Sequence, residues 1–443
     1  MPVAALATFA FACAYAGLAL VVVLTLLRSP RPPARTAARR ADDAAPDVDV
    51  VVPARNEAAN LPATLASLGA QDYGGRLRIW VVDDRSDDGT AEVVLRAAAH
   101  DERLRLVRVR APSRRLAPKV NAVAHGIAAG SAPWIVTTDA DCVHPPGWVR
   151  TLLASADEHD VMVTGYVETG RAGAPRGLFE RLEALDWVSL MLTHGALVRL
   201  GATVASSANN QAYRRAAFAA IGGFGVAGRA PSGDEDLLVQ RLAALPGASV
   251  TYTDAPEARV TTASTGSWAG LLTQRRRWVS RYHHPQHYHR GFLAGIALLG
   301  VHSTCLSLAT LTVPLWPTGL PWLLGAWAVV LAVVIPGMHL GLVRLGRSEL
   351  MGWPVLAWAL LHPFLIALVW SWSLLRPGSW HAGAADYRRR AWRAWLRRGR
   401  RRRSSEPRTS ASLPRWPVRG GSVAISGAGG VEEEQHEGDR ARR

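Results

Sequence analysis

Acidic residues recur where short β-branched runs of this chain end, which is where carboxylates can serve a nucleotide or a metal ion. Val52-Pro53-Ala54-Arg55-Asn56-Glu57 closes one run, and Val82-Asp83-Asp84-Arg85-Ser86-Asp87-Asp88-Gly89-Thr90 closes the next. Two acidic strand ends side by side, with Glu57 and Asp84 foremost, can accept hydrogen bonds from the N–H and O–H groups of a base and a ribose. Each segment taken alone also reads as a common turn or helix cap. Thr138-Asp139-Ala140-Asp141 follows a third run. Side chains two apart on an extended strand point to opposite faces, but at a strand end that turns both can reach one ion. Two hard oxygen ligands suit Mg²⁺ or Mn²⁺, and a solvated turn is the bland alternative.

Two further groups lie nearer the C-terminus. Ser232-Gly233-Asp234-Glu235-Asp236-Leu237-Leu238 places three acids at the start of an apolar helical pattern. Such acids favour a helix N-terminus in any case. Alternatively one of them is a general base that takes the proton of an acceptor hydroxyl. Gln274-Arg275-Arg276-Arg277-Trp278 stands just before an apolar stretch. It serves equally as a juxtamembrane basic anchor or as an arginine on phosphate oxygens beside an indole platform.

The elements that must position these groups alternate. Val48–Val52, Leu77–Val82 and Ile135–Thr138 read as strands, and Ala58–Leu68, Thr90–Ala99 and Asn121–Ala129 have helical spacing. That order predicts βαβ units and a mostly parallel sheet. Ligands of such sheets sit beyond the carboxyl ends of the strands, where the acids fall.

Around this region the chain is apolar. Of 443 residues 49% are hydrophobic and only 19% charged, too little charge for a soluble protein of this size. Val3–Leu27, Phe292–Val313, Leu320–Val343 and Trp353–Leu375 are long enough to cross ~30 Å of hydrocarbon. Thirteen of the seventeen tryptophans lie after residue 260, many near span ends, as an interfacial belt requires. Arg28, Arg31 and Arg35 follow the first span and no Lys or Arg precedes it, which predicts a cytoplasmic region next. Four spans would then put the C-terminus outside, against the arginine run 397–403. Either one C-terminal segment is re-entrant or interfacial, with Trp353–Leu375 and its Pro354, His362 and Pro363 the candidate for an irregular one, or the charge rule fails here. The net charge of +16 clusters beside the spans and in the tail, favouring anionic lipid over nucleic acid. Cys13, Cys142 and Cys305 form neither a disulfide framework nor a metal spacing. The expected organisation is a transmembrane helix at 1–28, a linker at 29–46, a catalytic domain at 47–280, a membrane region at 281–376 and a basic tail at 377–443.

In this order, the five motifs resemble the membrane-integrated members of glycosyltransferase family 2, with the likeness running from about Val48 to Ser280. Lys119-Val120-Asn121 with Gly126, and Ala208-Asn209-Asn210-Gln211 through Gly222-Gly223-Phe224, extend it. Pro118 and Ala124 depart from the family's Gly and Asn. The resemblance implies a GT-A, Rossmann-like α/β domain and one inverting displacement on a nucleotide sugar, a UDP-sugar favoured. It implies donor contacts from Pro53, Glu57, Asp84, Lys119 and Asp139, and metal binding by Asp139 and Asp141. It assigns Gln274, Arg277 and Trp278 to diphosphate and acceptor, and catalysis to Asp236 with Glu235. The base register is open by one, since Asp234-Glu235 also fits.

Three functions remain to be separated. The first is single-sugar transfer to a lipid, as in the ceramide glucosyltransferases that the chain resembles. For it, the amphipathic stretch from Phe179 through Asp186-Trp187 to Leu200 is either a membrane-surface segment or an ordinary core helix. The second is processive synthesis of a glycan, as in the cellulose and poly-N-acetylglucosamine synthases, with or without a partner subunit. The third is a non-catalytic protein binding anionic lipid or nucleic acid, which would have no use for the acidic set.

Overall fold

The computed structural model describes residues 2–29, 45–113, 115–170, 175, 177–203, 205–225, 228, 234–279 and 288–375. The basic tail, most of the expected linker and the segment 280–287 lie outside these residues.

The chain opens with helix α1 (Pro2–Arg28). The α/β region then begins with β1 (Val48–Ala54), α2 (Leu61–Gly69), β2 (Leu77–Asp83), α3 (Thr90–Ala98), β3 (Leu104–Arg108), α4 (Pro118–Ala129) and β4 (Trp134–Thr137). It continues through β5 (Cys142–Val143), α5 (Trp148–Ala154), β6 (Asp160–Gly165), β7 (Val167–Thr169) and α6 (Leu178–Arg199). After it come β8 (Gln211–Arg214), α7 (Arg215–Ala220), α8 (Asp234–Ala243), β9 (Ser249–Thr253), β10 (Val260–Thr262) and α9 (Trp268–Val279). Three long helices close the described chain: α10 (Arg290–Thr312), α11 (Leu320–Leu345) and α12 (Trp353–Leu375).

The expected strands appear in place, and the helix starts move. Helix α2 begins at Leu61 rather than Ala58, because Pro62 occupies its first turn and residues 57–60 form the turn before it. Proline likewise starts α4 three residues early, at Pro118. Gly89, at φ 91°, supplies the left-handed residue that turns the chain into α3.

A seven-stranded sheet has the order β3-β2-β1-β4-β8-β6-β9. The pairs β3/β2, β2/β1, β1/β4 and β6/β9 are parallel, while β8 runs antiparallel to β4 and β6. A smaller sheet, β5-β10-β7, lies beside it. Strand β1 is buried along nearly its whole length because helices cover both faces of the sheet, as parallel sheets require. Helix α4 approaches it so closely that a Cβ on Gly126 would come within 2.5 Å of Val51.

Asp49 in β1 is fully buried, yet fully served. It accepts from Trp80 Nε1 at 2.9 Å, the Ala132 N–H at 2.7 Å and Arg215 Nη2 at 2.8 Å, tying β1, β2, the start of β4 and α7 together.

Helices α1, α10, α11 and α12 are each long and apolar enough to cross a membrane. The expectation of an irregular segment at Trp353–Leu375 is corrected: it is a single helix with Pro363 inside it. A membrane helix packed against neighbours tolerates the missing N–H that would break a helix in water. Arg344, near the end of α11, joins these helices to the sheet domain. Its Nε donates to Asp254 at 2.8 Å, and its Nη1 donates to the Leu26 and Ser29 carbonyls at 3.2 and 2.9 Å. Helix α6 buries Leu185, Val188 and Leu192 in a cluster shared with α1, α11 and α12. It is a core helix at the junction of domain and membrane helices.

Replacing Asp49 with Ala strands the Arg215 guanidinium in a half-buried position. A loss of about 3–5 kcal/mol is expected for such a broken buried pair, read as a lowered melting temperature in detergent. An unchanged melting temperature would contradict this account of the sheet.

Candidate functional site

The carboxyl ends of β1, β2 and β4 meet at one cavity, and its lining includes Pro53, Glu57, Asp84, Lys119, Asp139 and Asp141. Two loops are laced to each other at its rim. The Asn56 N–H donates to Ser86 Oγ at 3.0 Å, the Glu57 N–H to Thr90 Oγ1 at 2.9 Å and the Ala58 N–H to Asp88 Oδ2 at 3.0 Å. Asn56 and Arg85 sit at φ 55° and 62°, a strained region for residues with a Cβ, and the lacing holds them there. Asp84 is nearly buried, with Arg85 Nε at 2.9 Å and Arg55 Nη1 at 3.5 Å.

After β4 the chain turns, the Cys142 N–H donating to the Asp139 carbonyl at 3.3 Å, and both acids of Asp139-Ala140-Asp141 line the cavity. Lys119 Nζ lies 2.6 Å from Asp139 Oδ1, and Thr262 Oγ1 donates to Asp141 Oδ2 at 3.3 Å. Burial, followed by the charge of Asp139, raises the Asp141 carboxyl above its ordinary range, with Lys119 opposing. Burial also raises Glu57, against its Asn60 hydrogen bond, and the charges of Asp141 and Asp139 add to the effect. Two mutually repelling carboxylates on one turn fit a divalent cation. Among the described residues no third acid, His or Cys completes a metal cluster, so the other ligands would be substrate oxygens and water.

Helix α8 carries Glu235 and Asp236 into the same cavity. Asp236 is 2% exposed, and the Ser206 N–H donates to its Oδ1 at 3.2 Å. Glu235 is half-buried, and the Asp234 side chain lies outside the described residues. Helix α9 brings Gln274, Arg277 and Trp278 to the cavity from the opposite side. Every site residue expected from the sequence therefore lines one cavity.

The comparisons with known proteins point the same way. Residues 49–222 match the family model described as glycosyl transferase family 2. The chain carries a glycosyl transferase family 2 domain. It is 32% identical over 181 residues to an N-acetylglucosaminyltransferase of Rhizobium leguminosarum bv. viciae, covering 40% of this chain and 41% of that protein. It is 33% identical over 118 residues to one of Bradyrhizobium elkanii, covering 26% and 63%. The chain thus spans about two fifths of the length of the first of these relatives. The mannosyltransferase PcManGT from Pyrobaculum calidifontis, solved in complex with GDP-Man and Mn²⁺, superposes with a TM-score of 0.50 at 21% identity, covering 84% of this chain and 98% of that one. That likeness places the α/β domain in the GT-A fold.

Several residues that shape the cavity were given no site role from sequence. Asp186 of α6 is nearly buried and accepts from Arg275 Nε at 2.8 Å, with His362 Nε2 of α12 at 3.4 Å from its other oxygen. Burial opposes ionisation of Asp186, but the Arg275 charge and then His362 outweigh it and hold the carboxyl well below its usual range. The Arg275 guanidinium also lies 4.1 Å from the centre of the Trp278 ring, and its Nη1 donates to Gln274 Oε1 at 2.7 Å. So the residue inside the Gln-x-x-Arg-Trp motif that sequence leaves anonymous is the one that fixes the helix. Arg276 lies 3.9 Å from the centre of the Trp372 ring on α12, a contact that suits a membrane anchor. His144, buried and pushed down to about 3 by that burial, bridges Ser67 Oγ at 2.9 Å and Thr138 Oγ1 at 2.7 Å, steadying the turn before Asp139.

A pH dependence follows from the raised Asp141. A cation competes with the proton for this carboxylate, so Mn²⁺-dependent binding of UDP should weaken as pH falls, at a midpoint above the ordinary aspartate range. Raising Mn²⁺ should move the midpoint to lower pH, and Asp141→Asn should remove the Mn²⁺-dependent part. Calorimetry at several pH values measures this, and binding indifferent to both pH and Mn²⁺ would contradict the assignment.

Proposed function

We propose that this protein transfers one sugar from a nucleotide-sugar donor, a UDP-sugar favoured, to a membrane-associated lipid acceptor with inversion at the anomeric carbon. The observation that carries the proposal is the cavity itself. It has a volume of about 1030 Å³ and is lined at one end by the acids of the sheet and at the other by side chains of α1, α10, α11 and α12. A charged donor and an apolar acceptor would therefore meet in one chamber.

Asp84, Glu57 and Pro53 hold the nucleobase and ribose in this reading. Asp139 and Asp141 hold the diphosphate through Mg²⁺ or Mn²⁺, which would supply charge stabilisation to the departing nucleoside diphosphate. Lys119, against Asp139, lies close enough to share that load. Asp236 accepts the proton of the acceptor hydroxyl while the acceptor oxygen bonds to the anomeric carbon. The bond from that carbon to the diphosphate breaks, and its electron pair leaves with the nucleoside diphosphate. Gln274 and Arg277 contact the diphosphate, and Trp278, edge-on to Trp187 at 5.4 Å, gives the acceptor a flat wall. Asp236 is favoured over Glu235 because it is buried and fixed by the Ser206 N–H, whereas Glu235 is only half-buried. The side chains of α1, α10, α11 and α12 that line the cavity are mostly apolar, with Tyr15 and His362 among them, and that composition supports a lipid over a growing glycan.

Purified protein offered a panel of UDP- and GDP-sugars with membrane lipid extract should yield a lipid heavier by one sugar, read by mass spectrometry. Asp236→Asn should lower transfer by about 10²–10⁴-fold while nucleotide binding is nearly unchanged. If Glu235→Gln is inactive and Asp236→Asn is active, the base is Glu235. A ladder of repeated additions would contradict single transfer.

The arginines that follow α1 place the catalytic domain on the cytoplasmic side in this reading. Ala99→Cys, exposed at the end of α3, should then resist a membrane-impermeant thiol reagent in intact cells and react after permeabilisation. Labelling in intact cells would reverse the orientation.

A further inference from the structure

The membrane end of the cavity has a chemistry of its own. Val22 of α1, Leu190 of α6, Ile296 and Leu299 of α10, and Ile366 and Val369 of α12 line it. These residues surround a space continuous with Asp236 and the Asp139-Ala140-Asp141 turn. Three of the contributing helices are long and apolar enough to cross a bilayer, so the space opens among elements whose solvent is hydrocarbon. Gly295 of α10 lines it too, and a Cβ added there would meet nothing within 4 Å. The arm is therefore unfilled at a position where one side chain would occupy it.

Among the described residues that line the chamber, the cationic side chains nearest the carboxylates already have acidic partners. Arg275 is spent on Asp186, Lys119 lies against Asp139, and Arg55 lies against Asp84. Arg277 and a cation on Asp139 and Asp141 are needed by the donor's diphosphate. The acids Glu57, Asp141, Glu235 and Asp236 face the same chamber. A phosphomonoester headgroup carries about −1.5 to −2 charges at neutral pH. It would enter against that field, and its oxygen is already ionised, so it would have no use for a base. A base at Asp236 serves an attacking atom that arrives as a neutral hydroxyl.

We propose that the arm is the binding site for the hydrocarbon tail of an uncharged, hydroxyl-bearing amphiphile, the class of diacylglycerols, long-chain alcohols and neutral glycolipids, entering sideways from the bilayer. The acids that face the chamber disfavour isoprenoid phosphates. This inference rests on the glycosyltransferase reading for its consequence, but its test is one of binding and stands apart from turnover. Each methylene taken out of water contributes about fourfold in affinity, though a bilayer offers the tail the same gain. Preference for a long chain would therefore not decide the matter, whereas filling the arm does.

The full-length protein, reconstituted in phosphatidylcholine vesicles, is exposed to a diacylglycerol carrying a diazirine in one acyl chain, irradiated and mapped by peptide mass spectrometry. Labelling is expected on the α1 and α10 segments around Val22 and Ile296. It should fall at least tenfold in Gly295→Leu and be competed by unlabelled diacylglycerol but not by undecaprenyl phosphate. Labelling that is absent, that is indifferent to Gly295→Leu, or that undecaprenyl phosphate displaces better than diacylglycerol would overturn the proposal. Sugar-nucleotide turnover by the same vesicles keeps the two readings apart. Turnover without arm labelling sinks the acceptor site alone, and arm labelling without turnover of any sugar nucleotide sinks the glycosyltransferase reading alone.

Discussion

Asp139 and Asp141 repel each other on a single turn in a setting largely closed to water, and the arrangement of the domain follows from holding them there. Their turn is braced from behind rather than from the cavity. Thr64 Oγ1 donates to the Ala140 carbonyl at 2.7 Å, and the neutral, buried His144 holds Thr138. Burial and then this repulsion raise Asp141, and burial with the same two charges raises Glu57 on the neighbouring strand end. A dication held there would relieve the repulsion and would couple a donor diphosphate to the metal. The cost is borne by the sheet, whose four parallel strands bury β1 and anchor it through Asp49.

The second constraint is that two solvents must meet. Charge holds a sugar nucleotide in water, and hydrocarbon holds a lipid in the bilayer, yet the reacting atoms must come within bonding distance. In the proposed reaction the meeting point is built from α6 and α9. Asp186 on α6 fixes Arg275 on α9, and His362 on α12 joins them from the membrane side. Arg344 does similar work lower down, binding Asp254 of the domain and the last carbonyls of α1. A break in either link would separate the acids from the apolar arm without touching a reacting group.

The sequence made the strand ends legible because chemistry and local structure coincide there. A β-branched run followed by acids is visible within a few residues, and so Asp84, Asp139 and Asp141 were found with their strands. What depends on distant pairing was hidden. The antiparallel β8 between β4 and β6, and the small sheet β5-β10-β7, leave no local pattern that names their neighbours. Asp186 was hidden differently: it sits in a stretch whose apolar spacing reads as a packing face, and its partners lie 89 and 176 residues away along the chain. A charged residue in an apolar periodic segment, followed by Trp187, was the one signal that could have marked it. The irregular segment expected at Trp353–Leu375 is instead one helix, because neighbouring helices supply the packing that a proline-containing helix lacks in water.

The account stands or falls on donor and acceptor sharing one chamber. The most direct measurement is a structure of the protein in a lipid nanodisc with UDP and Mn²⁺, determined by electron cryomicroscopy. The account predicts a cation between Asp139 and Asp141 touching the diphosphate, and elongated lipid density in the arm between α1 and α10 reaching toward Asp236. A cation bound elsewhere, or an arm closed by side chains and separated from Asp236, would contradict it.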